Sequence, residues 1–565
     1  MKKKLFLLVI FLNLLMLAGC IVPISRNYKN KDFTESEAEI YNEHFGFIIP
    51  YLSNNDYQIE DNYDTMFKVS FKTYHNTSSD FSSYNAKFKE KYSTLTAEKD
   101  DYDITWYNYE YLNCRIMLSL YSEDNVPTMH VLVFKWDSNN NEILKANGLN
   151  VSSSSGYYDL DFSNTLYNDV TKNNSCPTTG DVNALVIPVE FSDRLAINLG
   201  YKTKDIDLAF NSTNSNELEY YSVSEYFYKS SYGKLNLHFD VLDSFIMANH
   251  SSSYYQNITN STEIILDEML VKLDDKIDYN KYDSNNDGLI DAIILVNTMD
   301  IDYNVEMKWA FMTYDLIGSV YDSTYFYKYD NVRAYTYFWC PYGFLRENDE
   351  GYDNEKINTY TIIHEFSHIL GVDDYYDTSY LATDTPLLNL DVMDATRGDH
   401  NPFTKFYLGF INKSKIVTTN SSVTLSLKDF EKTGDTIILA NNFDESLGIY
   451  QEYYVLMYYK NEGLNDSYFK NNGIVMYHIN ASLRKYGDYG HNDYKIMNNN
   501  TSKYSVDGSY NNLIELVLNN KNKLYQVGDS LNDEIYDDNN TLLKYDFEIQ
   551  NINDEEARIK FIYKG

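Results

Sequence analysis

The chain has 565 residues, 43 % of them apolar, and a formal net charge of −36 at pH 7. Its length exceeds what one hydrophobic core supports, so we expect several domains. The apolar content argues against disorder over most of the chain, and the acidity argues against nucleic acid or anionic lipid headgroups as partners.

The first 20 residues have the three-part layout of an export signal. Three lysines precede an apolar run from Leu5 to Leu17, and two small residues stand before Cys20. This end resembles a bacterial lipobox, in which the cysteine becomes the lipidated first residue; a plain signal peptide with a chance cysteine is the alternative. The run is too short to span a bilayer comfortably, and no later stretch is long and apolar enough. We therefore expect an extracytoplasmic body, anchored to the bacterial cell membrane by lipidated Cys20.

Residues 21–180 are predicted to form an N-terminal α+β domain. Apolar and polar residues alternate in Arg115–Tyr121 and Met129–Trp136, which predicts two strands. The role of this domain stays open, because an inhibitory prodomain, a spacer and an adhesion module all fit.

Residues 181–415 are predicted to form a second, α/β domain. The apolar run Val182–Phe191 is typical of a buried strand. A helical pattern over Thr262–Lys276, a strand-like Ala292–Val296 and a helix over Asn358–Leu370 follow.

Residues 416–565 are predicted to form a β-sandwich-like domain. Short alternating runs such as Ser422–Leu427 and Tyr453–Tyr459 are separated by turns rich in Asn, Asp and Gly. The whole chain is thus expected to be multidomain α+β.

A metal site is predicted on the helix that carries His364, Glu365 and His368. Two histidines four residues apart lie on one face of a helix, where both imidazoles can bind one tetrahedral zinc ion. Glu365 can take a proton from the zinc-bound water and deliver it to a leaving amine. The HExxH spacing therefore predicts hydrolysis of peptide bonds.

The chain can supply a third zinc ligand just after this helix. Gly371 stands where a helix would end in a left-handed turn, which lets the chain reverse. Asp374 occupies the position at which the metzincin pattern has its third histidine. Asp373 and Asp377 lie close enough to compete with it. Met393 follows where a Met-turn would form an apolar floor under the metal.

The segment DSNNDGLID at 283–291 has the pattern of a calcium loop, with oxygen ligands at alternate positions and a glycine at the sharp turn. The predicted Ca²⁺ ligands are Asp283, Asn285, Asp287, Leu289 and Asp291. Ile294 stands where an EF-hand has its bidentate glutamate, so we expect weaker binding or a carboxylate from another segment. A polar turn without an ion is the alternative.

Several stretches follow the pattern of one known family. They are HEFSHILGVDDYYD from His364, SVSEYFYKSSYGKLNLHFD from Ser222, the strand from Val182 to Asp193, DVMDATRGDHNPFTKFYLGF from Asp391, and the strands 452–459 and 473–480. Together they resemble the immune inhibitor A family of metallopeptidases over roughly residues 180–530, with gaps. The resemblance implies a secreted zinc endopeptidase with a zincin-like catalytic domain and often with bound calcium.

The sequence therefore predicts a lipid-anchored, monomeric zinc metalloendopeptidase that cleaves extracellular proteins or peptides with Glu365 as the base. One alternative is a catalytically silent binding or adhesion lipoprotein that retains the peptidase fold. The intact His364, Glu365 and His368 argue against it, because a decayed enzyme has no need of the base. A metal-binding lipoprotein that supplies a transporter is a third hypothesis.

Overall fold

The computed structural model describes the chain in segments. They are residues 25–28, 56–61, 66–72, 78–95, 97–100, 103–111, 114–123, 126–135, 156–163, 175–315, 329–346, 356–376, 386–395, 397–465, 471–486, 491–496, 498, 512–519, 524–531, 534–537 and 540–564. Over these residues the protein is mixed α/β, with several sheets and few helices. Cys20 and Asp377 lie outside the described residues.

The N-terminal part forms an antiparallel sheet in the order β1-β2-β3-β8-β7-β6-β4, with β5 paired to β6. Its strands are β1 (Ser25–Tyr28), β2 (Asp56–Asp61), β3 (Met66–Lys72), β4 (Ser93–Thr94), β5 (Glu98–Lys99), β6 (Thr105–Tyr111), β7 (Cys114–Glu123) and β8 (Val126–Lys135). Helix α1 (Ser78–Lys91) packs on β6 and β7 through one apolar face, on which Phe88 lies 5.7 Å from the ring of Tyr109. The strands β7 and β8 occur where the alternation predicts them.

A second, largely parallel sheet has the order β11-β10-β13-β15-β14, with β12 paired to β10. Its strands are β10 (Gly180–Glu190), β11 (Leu235–Val241), β12 (Ile246–Met247), β13 (Ile293–Asn297), β14 (Phe311–Tyr314) and β15 (Thr336–Pro341). All pairs are parallel except β14 with β15, and β14 lies at the sheet edge among the described strands. Parallel strands covered on both faces are apolar throughout, which explains why every residue of β13 is buried.

Helices cover both faces of the parallel sheet. The α-helices of this part are α2 (Ala196–Leu199), α3 (Thr203–Asn211), α4 (Val223–Ser230), α5 (Ser252–Tyr255), α6 (Ser261–Leu273), α7 (Tyr360–Ile369), α8 (Val392–Ala395) and α9 (Pro402–Tyr407). Helices α3, α4 and α7 share an apolar cluster with Val186, and α6 shares another with Leu185. Successive residues of β10 therefore point to opposite layers.

The C-terminal part contains a six-stranded sheet in the order β23-β20-β19-β18-β16-β9, a three-stranded sheet in the order β17-β25-β24, and the hairpin β21-β22. The strands are β9 (Tyr157–Asp161), β16 (Lys413–Val417), β17 (Ser422–Lys428), β18 (Ile437–Leu439), β19 (Glu452–Tyr459), β20 (Gly473–Asn480), β21 (Leu483–Tyr486), β22 (His491–Tyr494), β23 (Ile514–Leu516), β24 (Tyr545–Ile552) and β25 (Glu556–Tyr563). Helix α10 (Phe430–Thr433) connects β17 and β18. The two larger sheets share one apolar cluster.

Strand β9 belongs by sequence to the predicted N-terminal domain, residues 21–180, yet it pairs antiparallel with β16. Apolar and polar residues alternate along Tyr158–Asp161, and so do buried and exposed side chains. Such alternation indicates a strand but does not identify the strand with which it pairs. Among the described residues, no helix is long and apolar enough to cross a membrane.

Candidate metal centre

The central helix of the site, α7, spans Tyr360–Ile369, close to the predicted Asn358–Leu370. Its apolar residues Ile362 and Phe366 are buried in the core, and the helix packs against β14 and β15. Gly371 follows with φ +91°, and its N–H donates to the carbonyl of His368 at 2.9 Å. The helix therefore ends in the left-handed turn that the glycine predicts.

Both histidines of α7 use the Nδ1 atom to contact a backbone carbonyl. The Nδ1 atom of His364 lies 2.8 Å from the carbonyl oxygen of Val392, and that of His368 lies 2.7 Å from the carbonyl oxygen of Val372. A carbonyl only accepts, so each Nδ1 carries a hydrogen, and each Nε2 is left to face Asp374. Such backbone bonds are typical of metal-ligating histidines, because they fix both tautomer and ring orientation.

Asp374 reaches both of these nitrogens. Its Oδ1 lies 3.1 Å from Nε2 of His364 and 3.4 Å from Nε2 of His368. A tetrahedral zinc ion with bonds of about 2.0–2.1 Å holds neighbouring ligand atoms about 3.3 Å apart. This Oδ1 is buried without a hydrogen-bond partner among the described residues. The three atoms thus have the spacing that one zinc ion requires.

The site attracts positive charge. Burial disfavours the charged form of His368, but Asp374 and then Glu365 outweigh that effect and raise the pKa of His368 to about 9. The two imidazoles hold the pKa of Asp374 well below its usual range, against the opposing effect of burial. A metal ion must displace the proton that these groups share, so metal affinity should fall as the pH falls.

Glu365 lies beside the two imidazoles. One ligand atom from each of His364, Glu365 and His368 lies within 4.8 Å of the others. The Oε2 of Glu365 accepts the backbone N–H of Met312, on β14, at 3.2 Å. Burial raises the pKa of Glu365, although His368 and His364 lower it. A carboxylate with a raised pKa is a better proton acceptor, as a general base requires.

The positions of Asp374 and Asp373, two candidates for the third zinc ligand, differ in the structure. Asp374 is the described carboxylate that contacts both imidazoles, whereas Asp373 is exposed. Met393 is fully buried in α8, one residue after the carbonyl that holds His364, and its own carbonyl accepts the N–H of Tyr375 at 3.0 Å.

Tyr376 also lies next to His364, although the sequence motifs do not predict this. Its ring lies nearly parallel to that of His364, with ring centroids 6.2 Å apart. Burial raises the pKa of Tyr376, and Asp374 and Glu365 add to this effect. The signal available in the sequence is its position two residues after Asp374.

The predicted calcium loop is a tight turn. The N–H groups of Asp287 and Gly288 donate to the carboxylate of Asp283, both at 3.0 Å. The N–H of Leu289 donates to Asp287 at 2.8 Å. Gly288 has φ +85°, which glycine adopts without strain. The carboxylates of Asp283 and Asp287 therefore stabilise the turn itself.

Asp291 differs from these carboxylates. Its side chain is fully buried, Ser284 N–H donates to Oδ2 at 2.9 Å, and Oδ1 has no hydrogen-bond partner among the described residues. Burial, with added repulsion from Asp283 and Asp287, raises the pKa of Asp291 to about 6. A buried oxygen without a donor fits a cation ligand. The described loop does not gather ligand atoms from three His, Cys, Asp or Glu residues within 4.8 Å of one another, as His364, Glu365 and His368 do.

Comparison with known proteins adds no assignment: the sequence matches no protein-family model and no curated protein.

Proposed function

We propose that the chain is a zinc metalloendopeptidase. One observation carries the proposal: Asp374 Oδ1 lies 3.1 Å from Nε2 of His364 and 3.4 Å from Nε2 of His368, beside the carboxylate of Glu365. The motifs that resemble the immune inhibitor A family support it. Under this proposal residues 181–415 form a zincin-like catalytic domain between the N-terminal domain and a β-sandwich-like C-terminal domain.

His364, His368 and Asp374 would hold the zinc ion. When bound, zinc polarises a carbonyl oxygen and acidifies water enough for it to attack at neutral pH. The backbone carbonyls of Val392 and Val372 keep the two imidazoles in the orientation that this requires.

Glu365 takes the proton of the attacking water and transfers it to the leaving amine. Its position is fixed by the N–H of Met312, so the base is held against β14. That strand pairs with β15 on one side and has no strand on the other among the described residues. An extended peptide can add to this edge by backbone hydrogen bonds, which brings its scissile bond next to Glu365.

We further propose that the protein acts outside the cytoplasm as a monomer, anchored to the membrane by lipidated Cys20, on extracellular proteins or peptides. Calcium bound at 283–291 would have a structural role. A surface binding protein with the same fold but without turnover is the alternative. Glu365 argues against it, because it is buried and held by the N–H of Met312 beside the two histidines.

The test compares residues 21–565, which lack Cys20 and therefore its lipid anchor, with the same protein carrying Glu365→Ala. Peptide-library cleavage and zinc content are measured for both. We expect zinc in both proteins and a loss of cleavage of about 10²- to 10⁴-fold in the variant, the usual contribution of a general base.

Three other outcomes are informative. Full zinc occupancy with no cleavage by the parent would favour the binding-protein alternative or inhibition by the N-terminal domain. Equal cleavage by both proteins would exclude Glu365 as the base. An absence of zinc from the parent would refute the metal centre.

A further inference from the structure

A buried carboxylate that the proposed reaction does not use lies behind the metal centre. Asp391 directly precedes α8 and is fully buried. Its Oδ1 accepts the N–H of Met393 at 2.7 Å. Its Oδ2 accepts two bonds from Asn401, one from the backbone N–H at 2.6 Å and one from the side-chain amide at 2.8 Å. Asp391 thus ties the start of α8 to the start of α9.

The hydrogen bonds continue from Asn401 into a closed ring. Asn401 caps α9 by accepting the N–H of Thr404 at 3.0 Å. The hydroxyl of Thr404 lies 2.7 Å from that of Tyr375. The N–H of Tyr375 donates to the carbonyl of Met393 at 3.0 Å, which returns the ring to the residue that Asp391 holds.

Two predicted zinc ligands are adjacent to this ring. Val392, between Asp391 and Met393, supplies the carbonyl that accepts the Nδ1 hydrogen of His364 at 2.8 Å. Tyr375 follows Asp374 directly in the chain. A shift of the ring would therefore move the acceptor of one ligand and the backbone of the other.

A carboxylate at position 391 matches the hydrogen-bond donors around it. A buried carboxylate costs several kcal/mol unless donors surround it, and burial raises the pKa of Asp391 to about 7 despite the bonds from Met393 and Asn401. All three groups that meet it are donors. A carboxylate accepts all three, whereas an asparagine would place its own NH₂ against one of these N–H groups. The carboxylate thus holds both loops without a donor left unpaired.

We propose that Asp391 is a positioning residue for the metal centre. It locks the Val392 carbonyl that orients His364 and, through Asn401, Thr404 and Tyr375, fixes the turn that presents Asp374. This inference rests on the proposed function, since it requires that His364 and Asp374 bind a metal ion.

The test uses Co²⁺ as a spectroscopic probe on residues 21–565. Affinity is measured by competition with a chelator, and the ligand geometry is read from the visible absorption of the bound ion. For Asp391→Asn we expect affinity about 10- to 100-fold weaker, as for residues that orient metal ligands, together with an altered absorption spectrum. Asp394→Asn is the matched control, because Asp394 is also a buried carboxylate of α8 but accepts the N–H of Asn389. We expect its affinity and spectrum to stay close to those of the parent.

Tyr375→Phe is the second variant, because it opens the ring at the Thr404 hydroxyl and keeps Asp391. We expect a smaller loss of affinity with a change of spectrum in the same direction, and this variant decides the question if Asp391→Asn does not fold. Parent-like affinity and spectrum in the folded variants would overturn the positioning role and leave the proposed function intact. If the parent binds no Co²⁺, both the metal centre and the positioning role are refuted.

Discussion

Helix α7 and the loop at 283–291 differ in what their side chains contact, although ligand spacing predicts a metal site in both. On α7 the two Nδ1 atoms are bonded to backbone carbonyls, and two Nε2 atoms and Asp374 Oδ1 come together. In the loop, Asp283 and Asp287 accept N–H groups of the loop itself, and only the deeply buried Asp291 keeps an oxygen without a donor.

The difference shows when the spacing of ligand residues is good evidence for a metal site. A helix holds residues four apart on one face whether or not an ion is bound, so its ligands converge in advance. Aspartates in a turn are short enough to bond to nearby N–H groups. A polar loop of this kind therefore has a stable structure without an ion, and its spacing is weaker evidence for one.

The largest expected effect is a loss of zinc affinity when Asp374, but not Asp373, is replaced. Asp374→Ala removes an atom 3.1 Å from His364 Nε2, whereas Asp373 is exposed. We expect zinc affinity to fall by more than about 100-fold in the first variant, beyond the loss typical of residues that only orient ligands. Asp373→Ala should match the parent in a chelator competition. Equal losses in the two variants would remove Asp374 from the ligand set.

A smaller effect should show whether the loop binds calcium. At a calcium concentration 100 times the dissociation constant, binding stabilises the folded state by about 2.7 kcal/mol. We expect calcium to raise the melting temperature of the parent and to leave Asp291→Asn unchanged, because the variant lacks the buried carboxylate. The zinc content of both proteins serves as the control. A rise of equal size in both would show that the ion does not use Asp291, and no rise in either would favour the ion-free turn.

The smallest effect concerns the pH dependence of stability without calcium. The pKa of Asp291 is raised from 3.8 to about 6 in the folded protein, so the folded state binds this proton more tightly than the unfolded state does. The contribution of Asp291 to stability is thus fully present below pH 3.8 and is lost as the pH rises through 6.

Asp291→Asn should abolish this dependence and be more stable than the parent at pH 7 by up to roughly 3 kcal/mol in chelator. Urea unfolding from pH 4 to pH 8 measures it. A variant less stable than the parent at neutral pH would show that the buried carboxylate carries no such cost. With calcium present, the advantage of the variant should shrink, because the ion stabilises only the parent.

The sequence alone determined the features that depend on near neighbours in the chain. The helix at Tyr360–Ile369, its end at Gly371 and the strands β10, β13, β17 and β19 occur where local patterns predict them. Periodicity and turn chemistry act over a few residues, so a single sequence carries that information. The common face of His364 and His368 follows from the helix in the same way.

Only the tertiary structure decided the contacts between distant residues. It supplies the carbonyl of Val392 to His364 and holds Glu365 with the N–H of Met312. It also pairs β9 with β16. These partners lie far apart in the chain, and which of them meet depends on how helices and sheets pack, a property that no local pattern encodes.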